Sequence, residues 1–356
     1  MMHISIIGGS VGGLSSAIAL KENDGYDVTI YETHEEIGHL LQCAEGYLAT
    51  YELEVPPRNV IDCTIHSCIV RTWQNGVRKD RTISSEKERT WIIDRPKYEQ
   101  LLANRCEKLG VDIQTARRAT VRELKRKSEY VIDASGCYSQ TSKEYGFRYE
   151  DVSRALQYTI EGDFSEYYEG KTIVMGYEPH YIGFYWIFPK SPKKANVGIG
   201  RVDSGDLHAE LKRILEMENI EGDIINKTGG NIPCKPLKRF TYDNILLVGD
   251  AAGLANSFTG EGTNNAIISG RIAARCILKH SIDGYRDMVM AKIGGRLYVG
   301  RLMRNIMKNQ YQMFCDGPEK LDISFEMLDS PYRLYRAMLT RPGLLIRTIM
   351  VSLRTI

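Results

Sequence analysis

The 356-residue chain is 43% hydrophobic and 26% charged, an ordinary globular balance, and its length suits two interleaved domains better than one simple core. A formal net charge of +2 gives no bulk electrostatic case for nucleic acid. No run of roughly 18 uncharged apolar residues occurs, so no membrane span is expected; eight scattered cysteines without paired spacing suit reduced thiols in a cytoplasmic protein with no metal site.

The residues after Met1 run straight into a strand and turn, HISIIGG, so no secretory leader is expected. Leu14 to Glu22 has helical spacing, and Val28 to Tyr31 reads as a second strand. This strand–helix–strand order implies a parallel sheet. His34 to about Arg89 is irregular. Arg95 to Leu109 reads as a helix, and Val111–Gln114 and Tyr130–Ala134 as strands returning to the first sheet. Between about Arg154 and Val202 the segments LQYTIEG, KTIVMGY, GFYWIF and ANVGIG are β-branched or aromatic and bounded by turns, which suggests a separate antiparallel sheet. Leu207–Met217 is helical. Asn244–Val248 is a buried strand that re-enters the first domain, followed by a helix over Gly260–His280. Most of Asp283–Ile356 reads as further helices, broken by Pro318, Pro331 and Pro342. The expected fold class is α/β: a three-layer Rossmann-like domain interleaved with an antiparallel-sheet domain and a C-terminal helical region. The expected boundaries are 1–150 with 235–282 for the first domain, 47–92 with 151–234 for the second, and 283–356 for the helical region.

Gly8, Gly9, Gly12 and Gly13 lie between the first strand and first helix. A dinucleotide site needs glycine there for a tight turn and for close approach of backbone to a pyrophosphate. The helix N-terminus then offers unpaired N–H groups to the phosphates. In a G-x-G-x-x-G alignment Ser10 takes the middle position. Glu32, at the end of the second strand, is where an acid accepts hydrogen bonds from ribose hydroxyls. The segment ILLVGDAAGLANSFTGEGTNNAI is more specific. A strand delivers Asp250 to its carboxyl end, where a carboxylate can hold the ribityl hydroxyls of FAD. A loop then leads through Gly262 to a helix starting near Thr263, whose N–H groups can face the flavin ring. An NAD-only fold does not need this return segment, so the pair points to FAD.

Together with QCAEG (Gln42–Gly46), IDRPKYEQLLA and GFYWIFPKSPKKANVGIG, these segments resemble the geranylgeranyl reductase family of flavoproteins, within the fold group of para-hydroxybenzoate hydroxylase. The resemblance covers most of the chain to about residue 280. It implies FAD contacts at Gly8, Gly12, Gly13, Glu32, Cys43, Ala44, Gly46, Arg95, Ala119, Asp250, Gly262 and Thr263. It implies a prenyl-chain cavity lined by Phe184, Trp186 and Phe188, which alternation places on one face of a strand. Phe184 stands where the family has tyrosine, Ser257 where it has proline, and the stretch between Val111 and Asp133 is short. The expected activity is reduction of prenyl C=C bonds on an isoprenoid lipid, with NADPH or ferredoxin as electron donor. The alternative is a flavin-dependent aromatic monooxygenase of the same fold group. DASGCYS (Asp133–Ser139) matches the hydroxylases' nicotinamide-linked motif only in part, which favours the reductase.

Two residues are candidates for chemistry. The Cys43 thiol can donate a proton, form a disulfide or only pack, and Glu45 is a neighbouring acid. The stretch 331–356 mixes apolar residues with five arginines and has no acid, as expected of a basic amphipathic segment that docks on an anionic membrane surface or packs on the protein itself.

Overall fold

A computed structural model describes residues 2–22, 26–49, 53–84 and 88–309, with residues 311 and 315. The basic segment 331–356 and the helices expected around Pro318, Pro331 and Pro342 lie outside the described residues. In chain order the elements are β1 (Met2–Ile7), α1 (Val11–Lys21), β2 (Tyr26–Tyr31), β3 (Gly46–Leu48), β4 (Ile61–Ile65), β5 (Ser67–Gln74), β6 (Val77–Ser84), β7 (Thr90–Ile93), α2 (Arg95–Lys108), β8 (Asp112–Gln114), α3 (Val121–Leu124), β9 (Tyr130–Asp133) and α4 (Gln140–Tyr145). There follow β10 (Val152–Gly162), α5 (Ser165–Glu169), β11 (Thr172–Tyr177), β12 (Gly183–Ser191), β13 (Lys194–Arg201), α6 (Leu207–Met217), β14 (Gly222–Pro233), β15 (Thr241–Tyr242), β16 (Ile245–Leu247), α7 (Thr263–Leu278) and α8 (Tyr285–Asn309).

Six strands form one sheet in the order β15-β16-β9-β1-β2-β8, parallel except for the β15–β16 pair. β1 is central, between β9 and β2, so the chain leaves it in one direction and returns on its other side. In an open parallel sheet that reversal opens a crevice at the carboxyl ends of the strands. Gly8 and Asp250 both emerge there. The turn after β1 depends on glycine: Gly8 has φ of +103°, and a Cβ on Gly13 would lie 2.0 Å from the Gly8 carbonyl oxygen. α1 is buried at nearly every position, because α2 and α7 cover the side away from the sheet. α2 begins where Asp94 accepts from Lys97 N at 3.0 Å, with proline just inside the first turn, a helix start written in the sequence.

A second, seven-stranded sheet runs β14-β10-β13-β12-β11-β5-β6. It is antiparallel, as the texture of 154–202 predicts, except that β11 pairs with β5 in parallel. β12 and β13 form a hairpin in which Trp186 sits opposite Gly198. Alternation divides β12 between two faces. Tyr185 and Ile187 join a core with Leu211 and Ile214 of α6, while Phe184, Trp186 and Phe188 point the other way. A small sheet, β3-β7-β4, bridges the two larger ones. Among the described residues no helix is long and apolar enough to cross a membrane.

Candidate functional site

Three helix N-termini meet at the carboxyl ends of β1 and β16, and Arg95 ties them together. From the start of α2, its Nη1 donates to Thr263 Oγ1 at 3.0 Å in α7, and its Nη2 donates to Ser10 Oγ at 3.2 Å before α1. Glu99, one turn along α2, fixes the guanidinium, accepting from Nε at 3.0 Å and Nη2 at 2.9 Å. Glu99 also accepts from Ser10 Oγ at 2.6 Å and Val11 N at 3.1 Å. Burial disfavours the charge on Arg95, but Glu99 and Cys43 outweigh it and raise its pKa. A fixed cation where three helices start is suited to a diphosphate.

The acids behave differently. Glu32 is already engaged: Oε2 accepts from Gly9 N at 2.7 Å, and Oε1 accepts from His34 N at 2.9 Å. It thereby closes the glycine turn. Burial pushes Asp250 up to about 6, against the pull of Arg95. A Cβ on Gly262 would lie 3.1 Å from Asp250 Oδ1, so only glycine leaves the approach to that oxygen open. Beyond it, Ser257 Oγ in the loop and Asn264 Oδ1 in the first turn of α7 are buried without a hydrogen-bond partner among the described residues. An acid whose charged form burial disfavours, a confined cation and orphaned buried polar atoms are together what a polyhydroxylated, diphosphate-bearing group such as FAD would satisfy.

The Cys43–Gly46 loop forms a third wall. Cys43 Sγ accepts from Glu45 N at 3.2 Å and from Arg95 Nη1 at 3.4 Å. All eight cysteines are free. Glu45, 2% exposed and with φ of +68°, accepts from Arg95 N at 3.1 Å, from Asn196 Nδ2 at 2.7 Å and from Lys190 Nζ. Lys190 also reaches Asp62 at 3.0 Å. With three donors on it, this carboxylate clamps the loop to β12 and β13.

The aromatic face of β12 looks onto that loop. Phe184, Trp186 and Phe188 form a row with ring centroids 5.7 and 6.4 Å apart. Phe188 would be 3.3 Å from a Cβ on Gly46. Trp186 Nε1 donates to Gln157 Oε1 at 2.9 Å, and Gln157 Nε2 donates to the Cys43 carbonyl at 3.1 Å. At the other end Phe184 meets Tyr177, which stacks on Phe258 of the 253–262 loop at 5.5 Å. Residues far apart in the sequence thus converge: Gly8 to Gly13, Cys43 to Gly46, Arg95, Phe184 to Phe188, and Asp250 to Thr263. Ala119 is buried against Ile7 and Tyr31, the residues immediately before Gly8 and Glu32. Sequence reasoning missed Glu99, Gln157, Tyr177, Lys190, Asn196 and Phe258. Glu99, Lys190 and Asn196 carry a local signal, being polar residues inside motifs already singled out.

Asp133, in the partial hydroxylase motif, is fully buried. It accepts from Ser135 N and Oγ at 3.1 and 2.5 Å and from Thr141 N and Oγ1 at 2.7 and 2.5 Å. The carboxylate is consumed in building its own loop.

Residues 6–74 match the family model described as NAD(P)-binding Rossmann-like domain, and residues 65–281 match the one described as FAD binding domain. The chain is 30% identical over 304 residues to digeranylgeranylglycerophospholipid reductase 1 of Methanopyrus kandleri, covering 76% of this chain and 78% of that one. It is 27% identical to digeranylgeranylglycerophospholipid reductase 2 of Methanococcoides burtonii, covering 86% and 84%. Its fold matches a geranylgeranyl bacteriochlorophyll reductase-like protein of Thermoplasma acidophilum with a TM-score of 0.81 at 20% identity, over 98% and 99% of the two chains. It also matches a flavin-dependent brominase with a TM-score of 0.63 at 15% identity, over 87% and 90%, so the fold alone does not separate these chemistries. The chain is an FAD-dependent oxidoreductase and belongs to the FAD-binding family that includes the digeranylgeranylglycerophospholipid reductases.

Proposed function

We propose that this protein reduces prenyl C=C bonds of a geranylgeranyl-type lipid. The supporting observation is the aromatic row Phe184–Trp186–Phe188 set against the Cys43–Gly46 loop, an apolar wall beside the site that fits FAD. Residues 1–150 and 235–282 serve as the FAD half; 47–92 and 151–234 carry the aromatic wall and serve as the substrate half. Arg95 and the start of α1 hold the diphosphate, Asp250 the ribityl hydroxyls, and Gly46, Gly262 and Thr263 bound the ring. Bound FAD, once reduced, supplies hydride to one alkene carbon. An unpolarised alkene also needs a proton on the other carbon, delivered where water is scarce. Cys43 Sγ is the donor, and the N–H groups of Arg95 and Glu45 that point at the sulfur steady the thiolate left behind. Glu45 acts as a positioning residue, holding Cys43 and the start of α2 in register. The aromatic row excludes water and lays the chain along the site. The basic segment 331–356 docks the protein on an anionic membrane surface, where such lipids reside.

The direct test is anaerobic. The dithionite-reduced protein is mixed with a geranylgeranyl glycerolipid, and return of oxidised-flavin absorbance is followed alongside lipid mass. Reoxidation with gain of two hydrogens per bond is expected. Failure of every polyprenyl lipid to reoxidise the protein, or hydroxylation of an aromatic substrate in air, overturns the reading. Cys43→Ala should retain FAD while alkene reduction falls by roughly 10²-fold or more, the usual scale for a lost general acid; unchanged turnover removes Cys43 from the chemistry.

A further inference from the structure

A cavity of about 460 Å³ opens on the outer face of α1, α2 and α7, away from the aromatic wall. The three helices start together at Arg95 and run outward from there. Arg275 is twelve residues along α7 from Thr263, about 18 Å at the helical rise, so the rim of this cavity is remote from the diphosphate end of the flavin site. β3 separates the two spaces. Gly46 faces Phe188, while the next residue, Tyr47, faces the cavity.

The lining has two characters. Ile18, Tyr47, Tyr98, Leu102, Ile267 and Leu278 contribute apolar side chains to its floor, within a lining whose exposed surface is mostly polar. Its edge carries Arg105, Arg271, Arg275 and Lys279 against two acids, Glu22 and Glu54. Arg105 pairs with Glu22, and Arg271 stands 3.9 Å from Glu54. Arg275 and Lys279, both exposed, form no ion pair among the described residues. Residues 271, 275 and 279 share one face of α7 by the i, i+4 rule, which aims their side chains at the same edge. Cations in last turns also complement helix dipoles, but that role needs no apolar hollow between two such helices. The lining carries four cations and two carboxylates, a surplus of two positive charges.

We propose that this cavity is a second lipid site, which takes the phosphate headgroup of an anionic glycerophospholipid on Arg275 and Lys279 and the first part of its chain on the floor below. Charge complementarity selects the anionic head. The apolar floor selects a lipid over free phosphate, which has nothing to place there. The site is separate from the catalytic one and holds a lipid that is not turned over.

The experiment uses the FAD-loaded full chain and isothermal titration with a saturated short-chain phosphatidylglycerol below its micelle concentration. Matching phosphatidylcholine and inorganic phosphate are the other probes. Wild type should bind phosphatidylglycerol at least ten-fold more tightly than either. Arg275→Ala/Lys279→Ala should weaken that binding at least ten-fold, about 1.4 kcal/mol, with FAD content and flavin absorbance unchanged. Both residues are exposed, so folding is not at stake. Equal affinity for phosphatidylcholine, or phosphate binding as tight as the lipid's, overturns the proposal. So does undiminished binding by the double variant, which would place the lipid elsewhere, including the catalytic cavity.

Discussion

Asp250 is an acid whose surroundings disfavour its charge. Burial lifts its carboxyl from the ordinary 3.8 to about 6, so the folded protein without FAD holds a proton there that the unfolded chain has released. Between about pH 4 and pH 6 the unfolded chain binds fewer protons at this position, and the contribution of Asp250 to stability falls as pH rises. Ribityl hydroxyls donating to the carboxylate would favour its charged form and reverse that strain. FAD should therefore bind more tightly at pH 7 than at pH 5. Asp250→Asn should flatten this dependence and weaken binding by roughly ten- to hundred-fold at pH 7, the range of a lost hydrogen bond to a charged group. Titrating apoprotein with FAD across this range, followed by quenching of flavin fluorescence, measures both; a variant that keeps the pH dependence would show that another group is responsible. Cys43 and Glu45, two residues apart, differ in what they contact. The thiol receives two N–H groups at 3.2 and 3.4 Å, which suit a sulfur that becomes negative. Glu45 is engaged by Arg95 N, Lys190 Nζ and Asn196 Nδ2, so its role is to hold the loop in place.

At the scale of elements, the clamp between the Cys43–Gly46 loop and the β12–β13 hairpin is the junction on which the site depends. Glu45, Lys190 and Asn196 are all largely buried. Lys190→Met should strip the cation from two acids, Glu45 and Asp62, and destabilise the protein by about 3 kcal/mol, as removal of one partner of a buried pair does. Thermal unfolding reads that cost. Alkylation of Cys43 by iodoacetamide should accelerate as the loop loosens; an unchanged rate would mean that the backbone contacts of β3 hold the loop without the clamp. The sequence foretold the elements whose signals are local. The helix at Leu207–Met217 has the expected bounds, and α2 starts at Arg95 because Asp94 and Pro96 declare it. α1 begins at Val11, earlier than expected, because Gly12 and Gly13 in its first turn carry no side chains for apolar spacing to register. The irregular stretch 34–89 contains β3 to β6, strands that take their hydrogen-bond partners from residues far away, such as β5 from β11. β14, GDIINKTGGNIP, is exposed along most of its length and gains its form from pairing with β10, so no alternation marks it. The same distinction explains the site. Glycine turns and the Asp250 segment are contiguous and readable, whereas Gln157, Tyr177 and Asn196 reach Cys43, Phe258 and Glu45 only once the seven-stranded sheet meets distant loops.

Across the whole molecule, the flavin site joins the start, the first third and the last third of the chain through one cation. Arg95 touches Ser10, Cys43 and Thr263 at once, so its removal should act on folding and on FAD together, and the two effects can be separated. Arg95→Met leaves Glu99, 7% exposed, as a buried acid without its counter-ion, a change that costs about 3–5 kcal/mol. Arg95→Met/Glu99→Gln removes both charges, and the amide oxygen introduced in place of the carboxylate can still accept from Ser10 and Val11. The double variant should recover most of the lost thermal stability, since an ion pair exchanged for neutral groups of similar volume is often nearly neutral. It should not recover FAD binding if the cation meets the diphosphate. Wild type with FAD at a hundred times its dissociation constant gains about 2.7 kcal/mol by linkage, visible as a rise in melting temperature. The double variant should show little or none of that rise at the same concentration. A double variant that melts like wild type and shifts equally with FAD would confine Arg95 to a structural role and move the diphosphate contact to the N–H groups of α1 alone.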